Sequence, residues 1–260
     1  MNRSLKQGVL IVIMTLLTSM AGAQKVRFAP GEKTTYIIHY GILSGGIARV
    51  QLTEETLNGK KVWRSTLTGQ STGIADALYK VRDTYESYMD PVTLLPYKSV
   101  RDINEGRYKR YNVVKFDHRS RPDSAILTSD LTGIHITEKE IYDIVSCFYL
   151  FRRVHLPANK EFKPGQMFTI ITWFADEYYP IRLRYAGKEE IRTKAGKIKC
   201  LKFNPVTEVG RVFKTEDDMS VWFSDDDNFL PVKIRFDIFV GAVTVDLASY
   251  EGLVNPLNIK

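Results

Sequence analysis

"VWFSDDDNFLPVKIRFDIFVG", residues 221–241, decides how this 260-residue chain folds. Along its second half Val232, Ile234, Phe236, Ile238 and Val240 alternate with Lys233, Arg235 and Asp237. That is the period of a strand with one dry and one wet face. Ahead of it stand Asp225, Asp226 and Asp227, which read as metal ligands, as catalytic acids or as a turn. A second stretch decides among these. "DPVTLLPYK", residues 90–98, aligns without gaps on "DDDNFLPVK", residues 225–233, with Asp90 on Asp225, Leu95 on Leu230, Pro96 on Pro231 and Lys98 on Lys233. Pro91 and Val92 occupy the places of Asp226 and Asp227. A position that takes proline or valine in the matching turn has no need of a carboxylate for chemistry. The aspartates therefore serve the turn, where Asp and Asn cap their own backbone and tolerate the left-handed region. The proline heads the second strand, where no ladder donor is needed. The spacing also lacks the alternating oxygen ligands and the glycine of an EF-hand loop.

The same period of two runs from Thr34 onward. Tyr36, Ile38 and Tyr40 share a face; Ala48, Val50 and Leu52 alternate with Arg49, Gln51 and Thr53; Trp63, Ser65 and Leu67 alternate with Arg64, Thr66 and Thr68. Turn signals such as Ser44-Gly45-Gly46, Asn58-Gly59 and Asn104-Glu105-Gly106 separate these runs. Two helices interrupt them. Gly73 to Lys80 reads as a short one. Thr137 as N-cap with Glu140 three residues on reads as a capping box opening a long one. Its apolar stripe is Ile141, Ile144, Val145, Phe148 and Phe151, with Arg152 and Arg153 at its C-terminal end and Pro157 just beyond. A helix apolar over so much of its girth must be covered on more than one side. The expected fold is mainly β: one curved antiparallel sheet, a half-barrel or barrel of about twelve strands, with one long and one short helix. Leu253 to Lys260 is expected to be a loose tail.

Residues 1–23 read as a signal peptide: Arg3 and Lys6, then the apolar run Val9 to Leu17, then Ala21-Gly22-Ala23 at the cleavage point. The run is too short to span a bilayer. Residues 24–260 then form a single β-rich exported domain, with the periplasm as the expected compartment. The formal charge of +7 is spread along the chain. Nucleic-acid binding needs a clustered patch, and Arg107 to Tyr111, the densest basic stretch, alternates as an exposed strand face does. An outer-membrane barrel is not expected, because Arg49, Arg182 and Arg184 interrupt the strand faces and the chain closes on Ile259-Lys260 without a terminal aromatic. Cys147 and Cys200 are expected as two separate buried thiols.

Catalytic patterns are missing. His39, His118, His135 and His155 form no H-E-x-x-H pair, and no G-x-S-x-G elbow occurs. Neither a metal nor a cofactor is expected, and binding is favoured over enzyme activity. Asp143, Ser146, Tyr149 and Arg152 recur at steps of three, which spiral around a helix of 3.6 residues per turn and cannot make one compact cluster. Helix capping and hydrogen bonds to the sheet account for them best; the sharper reading has Tyr149 or Arg152 meeting a ligand head group. The leading functional expectation is a cell-envelope protein that binds a lipid, acyl chain or other apolar ligand in the concave face of the sheet. Trp63, Phe148, Tyr149, Arg152, Trp173 and Trp222 are the candidate lining residues. Its partner would be a lipid or an acylated protein. The alternative is an envelope interaction or structural module with a filled core and no ligand, working through a sheet edge or the basic strand face.

Four stretches together, "FAPGEKTTYIIHYGILSGGIARV" (28–50), "ALYKVRDTYESYMDP" (77–91), "DIVSCFYLFR" (143–152) and the closing 221–241, resemble an exported bacterial family, domain of unknown function 3108. The resemblance spans nearly all of residues 24–260. It implies an exported β-rich domain and supplies no activity, cofactor or site residue. The closing hairpin alone is also similar to that of the periplasmic lipoprotein carriers, which implies a curved antiparallel half-barrel with helices closing its mouth.

Overall fold

Asn58 and Gly59, both at positive φ (51° and 76°), turn β2 (Leu43–Leu57) back on β3 (Lys60–Ser71). This is the two-residue hairpin that an Asn-Gly pair favours. The computed structural model describes residues 26–156, 161–206, 218–237 and 241–260; the stretch read as a signal peptide, Pro157, Ile238 and Val240 lie outside the described residues. Hairpins with turns of two to six residues join β4 (Arg82–Met89), β5 (Pro96–Glu105), β6 (Tyr108–Asp117), β7 (Ser124–Ser129) and β8 (Gly133–Glu138). After β9 (Tyr142–Asp143) and the helical segment come β10 (Met167–Ile170), β11 (Thr172–Phe174) and β12 (Glu177–Tyr178). The chain closes with β13 (Ile181–Thr193), β14 (Gly196–Pro205), β15 (Met219–Ser224), β16 (Pro231–Asp237) and β17 (Ala242–Glu251).

Among the described residues fourteen strands form one antiparallel sheet, ordered β10-β13-β14-β15-β16-β17-β1-β2-β3-β4-β5-β6-β7-β8, where β1 is Lys33–Tyr40. The first and last strands pair in the middle, with Tyr36 opposite Leu247 and Ile38 opposite Val245. The sheet does not close, since β8 and β10 are its two edges. A small sheet, β12-β11-β9, lies apart from it. Register shifts at Thr35/Tyr36, Ile38/His39 and Tyr185/Gly187 are bulges, which bend strands and strengthen twist. The expected curved antiparallel sheet is present, with more strands than the sequence count.

The two turns aligned in the sequence match in space. Leu94 (φ 63°) and Phe229 (φ 45°) occupy the same place and both adopt the left-handed region, and Pro96 and Pro231 each open the following strand. Asp90 Oδ1 accepts the amides of Val92 and Thr93, both at 2.9 Å. In the later turn Asp226, one place further along, takes that duty: its Oδ1 accepts the Ser224 hydroxyl at 2.8 Å and the Asn228 amide at 2.9 Å. Asp225 instead pairs with Lys188 at 2.7 Å.

Two expectations fail. Thr137 and Glu140 do not open a helix, because Thr137 belongs to β8, opposite Ala125 of β7. Ile134, Ile136 and Thr137 are β-branched and find a strand to pair with, and that pairing outweighs a local capping pattern. The real start lies downstream. Asp143 Oδ1 accepts the amides of Val145 and Ser146, both at 2.8 Å, while Ser146 Oγ accepts the Asp143 amide at 3.0 Å. That reciprocal pair has the form of a capping box and sits just ahead of the first helical turn, which opens after Val145. The helix is also short: α2, Ser146–Leu150, widens directly into π-helical turns over Phe151–His155. The short helix α1, Gly73–Leu78, stands where the sequence placed it. The C-terminal segment is docked, not loose. Ile259 bridges Ile198, the Lys260 amide donates to Lys197 O, and the Asn255 and Asn258 amides donate to Asn228 Oδ1 and Asp226 Oδ2.

The sheet wraps the helical segment on two sides. On one side Tyr149 Oη lies 3.1 Å from Ser65 Oγ of β3, and the Ser87 hydroxyl of β4 donates to Asp143 at 2.5 Å. On the other, the Phe151 ring meets Phe168, Phe203 and Phe223, from β10, β14 and β15, at 5.8, 5.1 and 5.2 Å. Edge-to-face rings at these separations contribute beyond their buried area. Cys147 and Cys200 are both buried free thiols in different clusters, as expected.

Candidate functional site

Between the middle of the sheet and the helical segment lies a cavity of about 310 Å³. Its floor follows from the strand period. Thr34 of β1 is level with Val50 of β2, Leu67 of β3 and Tyr85 of β4, and all four line it. Tyr36 and Ala48 line it one rung on, and Ile38 the next. Ile234 and Phe236 of β16 and Val245 of β17 complete the floor. The roof is Ile144, Val145, Phe148 and Tyr149, with Phe174 of β11 at the side. The wall is almost wholly carbon.

Its charged corner is sealed. Arg152 and Glu32 form a two-pronged ion pair at 2.6 and 2.8 Å, with side chains only 3 % and 5 % exposed. Arg152 also donates from Nε and Nη2 to Asn228 O at 3.2 and 3.1 Å. Its guanidinium lies 4.8 Å from the centre of the Phe28 ring. Burial by itself would lower the Arg152 pKa, but the Glu32 carboxylate outweighs burial and holds it above its usual value. Burial pushes the Tyr36 hydroxyl up to about 12, and its proton goes to Pro231 O at 3.0 Å. Burial raises the Tyr149 hydroxyl too. Both phenols are neutral at ordinary pH, so the cavity offers a guest no free charge at this corner.

A second cavity of about 340 Å³ lies across the helix, under β10, β13 and β15. It shares Ile144, Phe148 and Phe174 with the first, so these three side chains are the partition between them.

Of the six residues singled out from the sequence, Phe148, Tyr149 and Arg152 meet at the cavity. The tryptophans lie elsewhere and apart from one another. Trp63 packs edge-on to Phe28 at 6.0 Å with Arg153 over its ring at 5.4 Å. Trp173 is buried in a cluster with Val114, Phe116 and Leu127. Trp222 is buried beside Ile198, Cys200 and Val232, and its indole N–H donates to Glu189 at 2.8 Å. Sequence reasoning favoured the tryptophans as the largest apolar side chains, and these three rings pack in clusters away from the central cavity. The open space lies over the smaller neighbours Ala48, Val50 and Leu67. Their shared alternation with Tyr36 and Ile38 was the signal that marked this wall.

The Asp143, Ser146, Tyr149, Arg152 row divides its labour as the spiral requires. Asp143 and Ser146 cap, Tyr149 reaches Ser65, and Arg152 holds Glu32. Among the described residues no group of three or more His, Cys, Asp or Glu is placed to hold a metal, and no helix is long and apolar enough to cross a membrane.

Comparison with known proteins agrees with this architecture. No curated protein matches the chain. Among solved structures, the crystal structure of a beta-barrel-like protein of domain of unknown function DUF1849 from Brucella abortus aligns with a TM-score of 0.55. The identity is 6 %, and the alignment covers 89 % of this chain and all of that one. It is a likeness of fold. The model of the family described as "Protein of unknown function (DUF3108)" matches residues 35–248, and the chain, matched over nearly its whole described β-sheet, belongs to that family.

Proposed function

We propose that this protein is a non-enzymatic binder of an apolar ligand, a lipid or acyl chain held between the concave sheet and the helix, and that it works in the cell envelope. The observation that carries the reading is the carbon-walled cavity of about 310 Å³ at the centre of the sheet. Ligand pockets run from roughly 300 to 1,000 Å³ and are mostly apolar. An acyl chain gains about 0.8 kcal/mol for each buried methylene, so a dozen would supply on the order of 10 kcal/mol. Losses of translational and side-chain freedom offset much of that. The partition of Ile144, Phe148 and Phe174 gives a longer chain a route into the second cavity by a rotamer change. A filled core, which the rival interaction module requires, leaves these cavities unexplained. The signal-like N-terminus supports the compartment.

The test is native mass spectrometry and organic extraction of the purified protein, with titration of a fluorescent fatty-acid probe. Co-purified lipid or saturable probe uptake is the expected result. Ala48→Phe puts a ring into the cavity from β2 and should weaken uptake at least about tenfold while the protein stays folded. A wild-type protein that carries no lipid and takes up no probe would end the proposal.

A further inference from the structure

One end of the sheet gathers large apolar side chains in solvent. Ile42, at the turn from β1 to β2, is 98 % exposed, and Leu43 beside it is 65 % exposed. Helix α1 comes to the same end: the Thr72 amide donates to Gly45 O, and a side-chain carbon added at Gly45 would lie 3.5 Å from the Ala75 methyl. The helix buries none of its residues. Ile74 and Leu78, four apart and therefore on one face, are 79 % and 81 % exposed.

This helix is held firmly in spite of its exposure. Asp76 accepts from the Ser71 hydroxyl at 2.6 Å and from Arg82 at 2.7 Å. The Tyr79 hydroxyl donates to Glu105 O at 3.1 Å, and the Gly106 amide donates to Lys80 O at 2.8 Å. Arg82 and Ser71 thus fix the polar side of α1 to the sheet and leave its apolar side outward.

Among the described residues the exposed charge around this cluster is mainly cationic. Lys80, Arg107 and Lys109 are exposed at this end. Of the acids, Asp76 is tied to Arg82, Asp237 to Arg235 at 2.6 Å, and Asp83 accepts the Asn104 amide at 2.9 Å. Burial and the neighbouring Asp83 raise the Glu105 pKa. Asp102 is exposed on β5 opposite Tyr111 of β6, further from this end than the pair of Asn104 and Lys109. Isolated exposed leucines or isoleucines are ordinary; a rigid cluster of four, with Tyr40 and Tyr79 partly exposed beside it and lysine and arginine around it, is the surface chemistry of a segment that lies in a bilayer interface.

We infer that this end of the molecule docks on an anionic membrane surface, with Ile42, Leu43, Ile74 and Leu78 inserted and Lys80, Arg107 and Lys109 at the headgroups. The inference stands on the surface alone and goes beyond the ligand reading. It also orients the cavity, since Phe236, which lines it, lies on the rung shared by Tyr40 and Val243 at this same end.

The experiment is flotation of the purified protein with vesicles of phosphatidylethanolamine and phosphatidylglycerol, and with vesicles of phosphatidylcholine alone. The wild type should float with the anionic vesicles and far less with the neutral ones, and binding should fall as salt is raised. Ile74→Ser with Leu78→Ser should weaken vesicle binding at least about tenfold. Both side chains are in solvent, so circular dichroism and fatty-acid probe uptake should be unchanged. Lys80→Ala with Arg107→Ala should weaken binding to anionic vesicles only. Absence of flotation, equal flotation of the serine variant, or equal binding to neutral vesicles would each overturn the inference. So would a wild type that runs as a dimer and a serine variant that runs as a monomer, neither floating. Probe uptake, read separately, reports on the cavity whichever way flotation falls.

Discussion

Replacing Glu32 by glutamine leaves the Arg152 guanidinium buried without its counter-charge. The native pair is two-pronged and nearly sealed from solvent. Removing one member of such a pair costs about 3–5 kcal/mol, because the remaining charge stays desolvated. Here the lower end applies, since the glutamine carbonyl keeps one acceptor and Asn228 O keeps its two bonds from Arg152. A loss of about 3 kcal/mol lowers the melting temperature of a domain this size by about 6–12 °C. Urea denaturation followed by tryptophan fluorescence should show a lower midpoint with an unchanged slope. Because Arg152 is held above its already high pKa, the deficit should be flat from about pH 5 to 9. Replacing both residues by leucine should restore stability to within about 1 kcal/mol of the wild type, since two well-packed apolar groups need no solvation. A Glu32→Gln protein within about 0.5 kcal/mol of wild type would refute this account of the charged corner. A double variant as weak as the single one would refute it as well.

Two further outcomes follow from the turns and the thiols. Burial pushes the Asp90 carboxyl up, but bonds from the Thr93 amide, the Tyr97 hydroxyl and the Val92 amide outweigh it and hold it below its ordinary value. Its contribution to stability is therefore present above about pH 4 and lost as the pH falls through the lowered folded value. Asp90→Ala should accordingly destabilise at pH 7 and flatten the pH dependence of stability below pH 4, read by urea titrations at each pH; an unchanged acid limb would contradict the assignment. Cys147 and Cys200 are 4 % and 0 % exposed, and burial raises both thiols, Cys200 to about 12. Neither should react with iodoacetamide at pH 7.5 until the protein is unfolded, as mass spectrometry will read. Rapid labelling of the native protein would show that the interior opens.

The sheet was legible because alternation is a local consequence of burial on one face. Tyr36 and Ile38, Ala48 and Val50, and Ser65 and Leu67 were assigned to faces from the sequence, and the cavity is built on those faces. The repeated turn was legible because two copies constrained each other. The exact duty of each aspartate was not, since the capping carboxylate moved from the place of Asp90 to Asp226 and only the backbone path shows why. The helix start failed for a reason of partnership: Thr137 could cap or pair, and β7 was there to pair with. Asp143 carried the true cap, but its partner is Ser146, a shorter side chain than the glutamate the pattern leads one to seek. Trp63, Trp173 and Trp222 do not line the central cavity, because volume in a sequence does not say where space is left over. Nothing local marked the ion pair of Glu32 with Arg152 or the docking of Asn255 and Asn258, whose partners are distant in the chain.

The pairing of β1 with β17 sets the order in which the molecule can be completed. The strands from β1 to β8 and from β13 to β17 each grow by neighbouring hairpins, which form early at low entropic penalty. The seam between the two halves joins residues near 36 to residues near 247, and it runs through the floor of the cavity. A nascent chain therefore holds two unfinished half-sheets until its final strand arrives, and a protein truncated before Ala242 would lose the central cavity along with the seam.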